Sequence, residues 1–204
     1  SEGQYQNTSY SEDATAKANN NSVDVFNSTV NGIYGGYASA TGDQTAAAEA
    51  NGNNVTVSDN STAGSDIYGG MARASGAQIA TAKANGNSVT VSGSTVKRNV
   101  FGSDAEATGA QTATAEANNN SVTVSGSTVN GAYSIYGGYA FARGNQTATA
   151  KANGNSVTVS DSTVNDGDDI YGGRAYIRGA QTATAEASDN SVTVSGNSTV
   201  EDNI

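Results

Sequence analysis

Hydrophobic and polar residues alternate along short segments of the chain, and glycine or asparagine follows each segment. In residues 147–152 alanine falls on one side and threonine or lysine on the other, and in residues 157–159 both valines fall on one side. This period of two is typical of a strand with one buried face. Residues 139–143 alternate in the same way. The pattern predicts three short strands per repeat, with residues 162–164 extending the third strand and residues 171–173 forming a corner.

This pattern recurs at a fixed spacing. The phrase I-Y-G-G occurs at 33–36, 67–70, 135–138 and 170–173, with 100–103 as a degenerate copy, so the spacing is 33 to 35 residues. Such self-similarity is typical of repeat proteins, in which each unit buries its apolar face against its neighbours. No segment shows an apolar period of 3.6 residues. We therefore expect one all-β domain over 1–204, a β-solenoid (parallel β-helix) of about six 34-residue repeats with almost no helix.

Other arrangements use the same strands. Each repeat could form two smaller coils, or the repeats could form a six-bladed propeller or a series of hairpins with turns at A-N-G-N-S. The abundance of Asn, Ser, Thr, Gly and Ala would fit disorder, but disordered chains lack the V-T-V and T-A-T-A alternation. Residues 1–12 depart most from the consensus and form a divergent N-terminal segment of the domain.

Composition narrows the functional classes. The net charge of −10 argues against binding to nucleic acid, and no apolar run is long enough for a membrane helix. Cysteine and histidine are absent, so a thiol nucleophile, a zinc site and the commonest general base are absent too. The carboxylates are scattered, without a recurring pair. We expect no enzyme activity, no cofactor and no metal site.

One charged position changes sign from repeat to repeat. The residue before the last alanine of T-A-T-A-x-A alternates between lysine and glutamate in all six copies. Equivalent residues of a parallel solenoid lie about 4.8 Å apart, so opposite charges would pair and like charges would repel. A propeller would separate these positions much further. The alternation therefore favours stacking of consecutive repeats. The positions of this charge ladder are Lys17, Glu49, Lys83, Glu116, Lys151 and Glu186.

The second position of each I-Y-G-G copy is aromatic. Stacked at strand spacing, these residues would form a column at one edge of the solenoid, and a packing role is favoured over a ligand-binding role. The Asn and Thr columns of the N-S-V-T-V turn would add stacked side-chain hydrogen bonds. The positions of this aromatic ladder are Tyr34, Tyr68, Phe101, Tyr136 and Tyr171.

The two ends of the chain match each other. Ile204 falls at the isoleucine of I-Y-G-G, and Ser1 begins the stretch that would follow it, with Tyr5 aligned to Tyr37. The alternation would continue from Glu186 of one copy to Lys17 of the next. We therefore expect a head-to-tail junction, which generates filaments, and residues 1–12 could pair with a neighbouring subunit. The other interpretation is that the chain is part of a longer repeat protein.

The phrases N-S-V-T-V-S-G-S-T-V and I-Y-G-G-Y-A resemble the repeats of bacterial secreted adhesins and autotransporter passenger regions. This resemblance implies a secreted, cell-surface β-solenoid. Two functions are expected in order of preference. The first is a self-assembling subunit of an extracellular filament. The second is an adhesin stalk that binds a host or glycan surface through exposed Tyr37, Tyr139 and Tyr176.

Overall fold

The computed structural model describes residues 4–76, 78–130, 134–165, 169–201 and 203–204. In these ranges the chain forms no helix and folds as a parallel β-solenoid of about five turns. The predicted fold class is confirmed. The number of turns is slightly lower than the predicted six repeats, because residues 4–32 form only a partial first coil. The five full turns begin at Ile33, Ile67, Val100, Ile135 and Ile170.

The strands are short, apart from two long ones in the first two coils. In chain order they are β1 (Gln4–Lys17), β2 (Ser22–Phe26), β3 (Thr29–Val30), β4 (Ile33–Glu49), β5 (Asn54–Ser58), β6 (Thr62–Ala63), β7 (Ile67–Ser75), β8 (Ile79–Lys83), β9 (Ser88–Ser92), β10 (Thr95–Val96), β11 (Val100–Thr108), β12 (Thr112–Glu116), β13 (Ser121–Ser125), β14 (Thr128–Val129), β15 (Ile135–Arg143), β16 (Thr147–Lys151), β17 (Ser156–Ser160), β18 (Thr163–Val164), β19 (Ile170–Arg178), β20 (Thr182–Glu186), β21 (Ser191–Ser195) and β22 (Thr199–Val200).

Each strand pairs in parallel with the equivalent strand one repeat away. Val122, for example, lies in register with Val89 on one side and with Val157 on the other. The pairings form one sheet of 10 strands and two sheets of 6 strands. One repeat is therefore one coil, which excludes the hairpin, propeller and two-coil arrangements. Gln4–Lys17, which includes most of the divergent segment, pairs with β4 of the same chain.

Two details of the predicted coil are wrong. Residues 162–164 do not extend the preceding strand, because Asp161 has a left-handed backbone (φ 48°) that turns the chain, so Thr163–Val164 joins a separate sheet. The I-Y-G-G phrase is not a corner but the start of a nine-residue strand such as Ile170–Arg178. Its glycines are required by close packing, since a Cβ at Gly137 would overlap the carbonyl oxygen of Gly172.

The interior of each coil has two parts. In the first, which we call the alanine layer, the buried alanines of β11 face those of β12, and the same holds in the other coils; Ala105, Ala107, Ala113 and Ala115 are all inaccessible to solvent. A glycine corner joins the two halves, and a Cβ at Gly109 would overlap the carbonyl oxygen of Thr112. Alanine has no side chain beyond Cβ, so two strand faces that carry it can pack closely together.

The second part, which we call the valine core, contains larger side chains. The V-T-V strand, the T-V strand and the first residue of I-Y-G-G surround it, and Val122, Val124, Val129 and Ile135 are buried there. Successive coils add the same groups at the same places, so the core is a column of valine and isoleucine. Apolar burial of this kind contributes about 25 cal/mol per Å². The core is built as the alternation predicts.

Asparagine side chains link the coils at the A-N-x-N turn. Asn87 donates from its backbone nitrogen (2.8 Å) and from Nδ2 (3.2 Å) to Oδ1 of Asn120, which donates in the same way to Asn155. Such bonds satisfy amide groups that are only 1% exposed. The predicted asparagine column is confirmed, while Thr123 simply lies in register with Thr90 and Thr158. This inner asparagine ladder consists of Asn21, Asn53, Asn87, Asn120, Asn155 and Asn190.

A second ladder runs beside the first with the opposite direction. Asn118 donates from its backbone nitrogen to Oδ1 of Asn85 in the preceding coil, and Asn153 donates likewise to Asn118. In the last coil a serine, Ser188, takes the place of the asparagine. The outer asparagine ladder consists of Asn19, Asn51, Asn85, Asn118 and Asn153.

Serines form a third ladder at the next corner. The backbone nitrogen of Ser94 donates to Oγ of Ser127 at 3.1 Å, and the backbone nitrogen of Ser127 donates to Oγ of Ser162 at 3.1 Å. Each hydroxyl in turn donates to a carbonyl oxygen of its own coil. Together the three ladders fix the register of every coil, because a shift of one residue would leave buried amides without partners.

Candidate functional site

The charge ladder forms ion pairs at alternate steps. Nζ of Lys83 lies 3.3 Å from Oε2 of Glu116, and the corresponding distances are 3.0 Å for Lys17–Glu49 and 3.6 Å for Lys151–Glu186. These side chains are well exposed, so each pair contributes only about 0.2–1 kcal/mol.

The intervening steps of the charge ladder are different. Glu49 lies in register with Lys83, and Glu116 with Lys151, yet each carboxylate here pairs with the lysine of the preceding coil. A junction between Glu186 and Lys17 of another copy would correspond to one of these intervening steps. The ladder therefore fixes register within pairs of coils and contributes less to a junction.

The aromatic ladder is a continuous stack. Ring centroids of consecutive members lie 4.8 to 5.1 Å apart with interplanar angles of 2° to 7°. The hydroxyl of Tyr171 donates to Oδ2 of Asp169 at 2.7 Å, and this bond lowers the pKa of the Asp169 carboxyl. The faces of the inner rings cover one another, which favours packing as their role.

A second column of outward side chains lies next to the aromatic ladder. Its members, one per coil, are Tyr37, Met71, Asp104, Tyr139 and Arg174. The sequence predicts that Tyr37, Tyr139 and Tyr176 are exposed. Tyr37 and Tyr139 are instead half-buried, because their rings pack edge-on against the aromatic ladder, whereas Tyr176 is 47% exposed.

Asp104 is the unusual member of this column. It is 4% exposed, and its Oδ1 has no hydrogen-bond partner among the described residues. Burial, with a smaller effect of the neighbouring Glu106 carboxylate, raises the pKa of Asp104 to about 8, and Arg73 acts in the opposite direction. Its carboxyl group is therefore largely protonated near neutral pH.

Asp104 lines an open cleft of about 290 Å³. Arg73 forms an ion pair with Glu106 at its side (Nε–Oε2 2.9 Å), and Nη1 of Arg174 donates to the Tyr136 hydroxyl at 3.3 Å. Within the described ranges, no group of acidic side chains is arranged to hold a metal ion. The cleft combines aromatic carbon, hydrogen-bond donors and hydrogen-bond acceptors. Its lining residues are Tyr68, Arg73, Asn99, Phe101, Asp104, Glu106, Tyr136, Tyr139 and Arg174.

The last coil leaves its inward side chains open to solvent. Val194 is 37% exposed, whereas its equivalent Val159 one coil earlier is inaccessible. In the first coil, by contrast, Ala16 and Val23 are 1% and 2% exposed. The two ends of the described chain therefore differ, and the C-terminal face is an apolar surface that a further coil would cover.

The predicted junction residues are distributed over both ends. Tyr5 lies in β1 in register with Tyr37, and Ile204 is 70% exposed. Lys17 and Glu186 lie in the first and last coils, each paired within the chain. Ser1 lies outside the described residues.

The Asp104 cleft and the Arg73–Glu106 pair were missed by sequence reasoning. The sequence does contain a signal for both. When the residues after I-Y-G-G are aligned between repeats, Asp104 falls in a column of mostly large side chains, and Arg73 falls at the same position as Glu106 of the next repeat. Among the described residues, no helix has the length and hydropathy of a membrane span. In comparisons with family models, curated proteins and solved structures, no match to this chain was found.

Proposed function

We propose that this chain is a structural, non-catalytic subunit of an extracellular filament, which grows when the open C-terminal coil of one copy docks on the first coil of the next. The observation that carries the proposal is the exposed inward face of the last coil. Val194 is exposed there, whereas the equivalent Val159 of the preceding coil is fully buried. Burying this face removes apolar surface from water, the main driving force of most association. The extracellular location rests on the resemblance of the repeats to secreted adhesins.

The polar ladders support the same docking. Within the chain, the inner asparagine ladder always donates from one coil to Oδ1 of the next, as from Asn155 to Asn190. A following copy would place Asn21 above Asn190, so that Asn21 Oδ1 would accept from the Asn190 backbone nitrogen. The serine ladder would continue from Ser198 to Ser28 in the same way. Such an interface joins two different surfaces and does not close, as filament growth requires.

A pair of lysine substitutions in β21 tests the proposal. Val194→Lys places a charge on the inward face, where docking would bury it, and we expect the filaments seen by negative-stain microscopy to disappear and sedimentation to report a monomer. Because Val194 is already partly exposed, the monomer should keep its circular dichroism spectrum. Thr193→Lys is the matched control, since it adds the same charge to the outward face of the same strand.

The outcomes separate the parts of the proposal. A wild-type chain that stays monomeric at all accessible concentrations would contradict filament assembly. Filaments of Val194→Lys with wild-type length would show that a different surface joins the copies. We prefer Val194 to Glu186 as the test position, because Glu186→Lys would also break the existing pair with Lys151.

A second candidate function is an adhesin stalk. The outward face of the strands that begin with I-Y-G-G supports it, because aromatic side chains accumulate there beside Arg73, Glu106 and Arg174. Exposed aromatic residues on a rigid scaffold are typical of recognition surfaces. In this candidate, Tyr37, Tyr139 and Tyr176 contact a host or glycan surface, and substitution of Tyr176 by alanine should weaken adhesion of the purified protein to glycan-coated beads.

A further inference from the structure

We propose that the cleft above Asp104 binds a single pyranose ring of a glycan, held by the Asp104 carboxyl and by the face of Tyr139. This inference rests on the second candidate function, a recognition surface, and is independent of end-to-end assembly. It gives a defined site and a ligand class to the outward face of the strands that begin with I-Y-G-G.

The first argument is the carboxyl group itself. Asp104 is almost completely buried, and its Oδ1 finds no donor among the described residues. Buried polar atoms are nearly always hydrogen-bonded, and an exception indicates strain, a ligand or a functional role. Met71 occupies the same column one coil earlier, so the scaffold accepts an apolar side chain at this place. Asp104 lines the cleft, which places its carboxyl group beside a bound ligand.

The second argument is the surface next to the carboxyl. Tyr139 lies in register with Asp104 on one side and with Arg174 on the other. The Arg174 guanidinium carbon lies 5.9 Å from the centre of the Tyr139 ring and covers one of its faces. Tyr139 lines the cleft together with Asp104. The C–H groups of a sugar ring pack on such an aromatic face while its hydroxyls remain free for hydrogen bonds.

The third argument is the mixture of charges. Arg73 and Glu106 neutralise each other at 2.9 Å, and Arg174 donates to Tyr136. With Asp104 protonated, the cleft offers donors and acceptors together without a strong net negative field, which favours a neutral polyol over a simple cation. Its volume of about 290 Å³ lies just below the range of about 300–1,000 Å³ for ligand sites. One sugar ring fits this description better than an extended peptide.

Saturation-transfer NMR with the methyl glycosides of glucose, galactose and mannose tests the site, with titration calorimetry for the affinity. We expect transfer from the wild-type chain to at least one glycoside. Asp104→Met should weaken its binding about tenfold or more, since a hydrogen bond to a carboxyl is lost, while thermal unfolding is unchanged or occurs at higher temperature. Tyr139→Leu should weaken it as well. Asp24→Met, which removes an exposed carboxylate from β2, is the control that should bind like the wild type.

Each other result would overturn the inference. If no glycoside shows transfer, or if n-butylammonium binds in their place, the cleft is not a sugar site. If a glycoside binds equally well to the wild type and Asp104→Met, the sugar lies elsewhere on the aromatic face. That last result would leave the adhesin candidate intact, because exposed Tyr176 would still be available to a glycan.

Discussion

Single residues decide whether the chain can turn at the end of each strand. At the A-N-x-N turn the middle residue has a φ of 55° to 66° in every coil, a backbone region that favours glycine and, among other residues, asparagine and aspartate. The chain uses only these three types there. The residues are Asn20, Gly52, Gly86, Asn119, Gly154 and Asp189.

Asp104 makes stability depend on pH. Its folded-state pKa of about 8 is higher than the ordinary value of 3.8, so folding binds a proton and this group favours folding most below pH 4. As the pH rises towards 8 the contribution is lost. Between pH 5 and pH 8 we expect the wild type to lose free energy of unfolding, whereas Asp104→Asn, whose side chain does not titrate, should not. The difference between the two changes should be at least about 1 kcal/mol.

Urea unfolding of the wild type and Asp104→Asn at both pH values measures this difference. Asp43→Asn, at an exposed position, is the control that should follow the wild type. Parallel pH profiles for the wild type and Asp104→Asn would show that the Asp104 carboxyl titrates normally.

Residue types in the sequence predict these turns but not the environment of Asp104. Gly and Asn at A-N-x-N are local signals that place this turn correctly, whereas the glycines of I-Y-G-G lie within a strand. The burial of Asp104 depends on Tyr68, Phe101 and Tyr139, which three successive coils bring together. That environment forms only when the coils are stacked, so no local sequence pattern predicts it.

The strands of the alanine layer pack closely against each other. Ala105 and Ala107 of β11 face Ala113 and Ala115 of β12, and none of the four is accessible to solvent. The glycine corner between the two strands fixes the distance between them. Repeated alanine on both faces is therefore a steric requirement of this part of the coil.

A larger side chain in the alanine layer should be costly. We expect Ala115→Leu to lower the free energy of unfolding by about 1–3 kcal/mol, because the added carbons must push β11 and β12 apart. Thr114→Leu on the same strand points outward and should change stability by no more than about 0.5 kcal/mol. Urea unfolding followed by circular dichroism compares the two variants. Equal changes in their free energy of unfolding would mean that the alanine layer can accommodate a larger side chain.

The strands could be predicted more reliably than their assignment to sheets. The period of two in residues 147–152 and 157–159 identified the strands and their buried faces. It did not separate Thr163–Val164 from the preceding strand, since a serine-rich turn after V-T-V resembles a continuing strand. That separation depends on a left-handed residue after the V-T-V strand, which is Asp161 in this coil and glycine at Gly93 and Gly126.

Across the whole molecule, stability should fall towards the C-terminal coil. β20 pairs with β16 on one side, and its inward alanines are exposed, whereas β16 lies between β12 and β20. In stacked repeats each coil is stabilised mainly by its neighbours, so a coil with one neighbour opens more easily.

Hydrogen exchange followed by mass spectrometry tests this gradient. We expect amides of Thr182–Glu186 to exchange faster than those of Thr147–Lys151 in the monomer. In filaments the proposed docking should bring the two rates closer together, because the last coil then has a neighbour on both sides. Equal protection of both strands in the monomer would contradict the gradient.

The opposed directions of the two asparagine ladders have a consequence for growth. In the inner ladder the side-chain carbonyls point towards the N-terminal end, as from Asn120 to Asn87, and in the outer ladder they point the other way, as from Asn85 to Asn118. Their amide dipoles therefore largely cancel along the solenoid axis. An α-helix, whose aligned peptide units sum to a macrodipole, behaves differently. If copies join end to end as proposed, these two ladders add little to the charge separation between the tips of the stack.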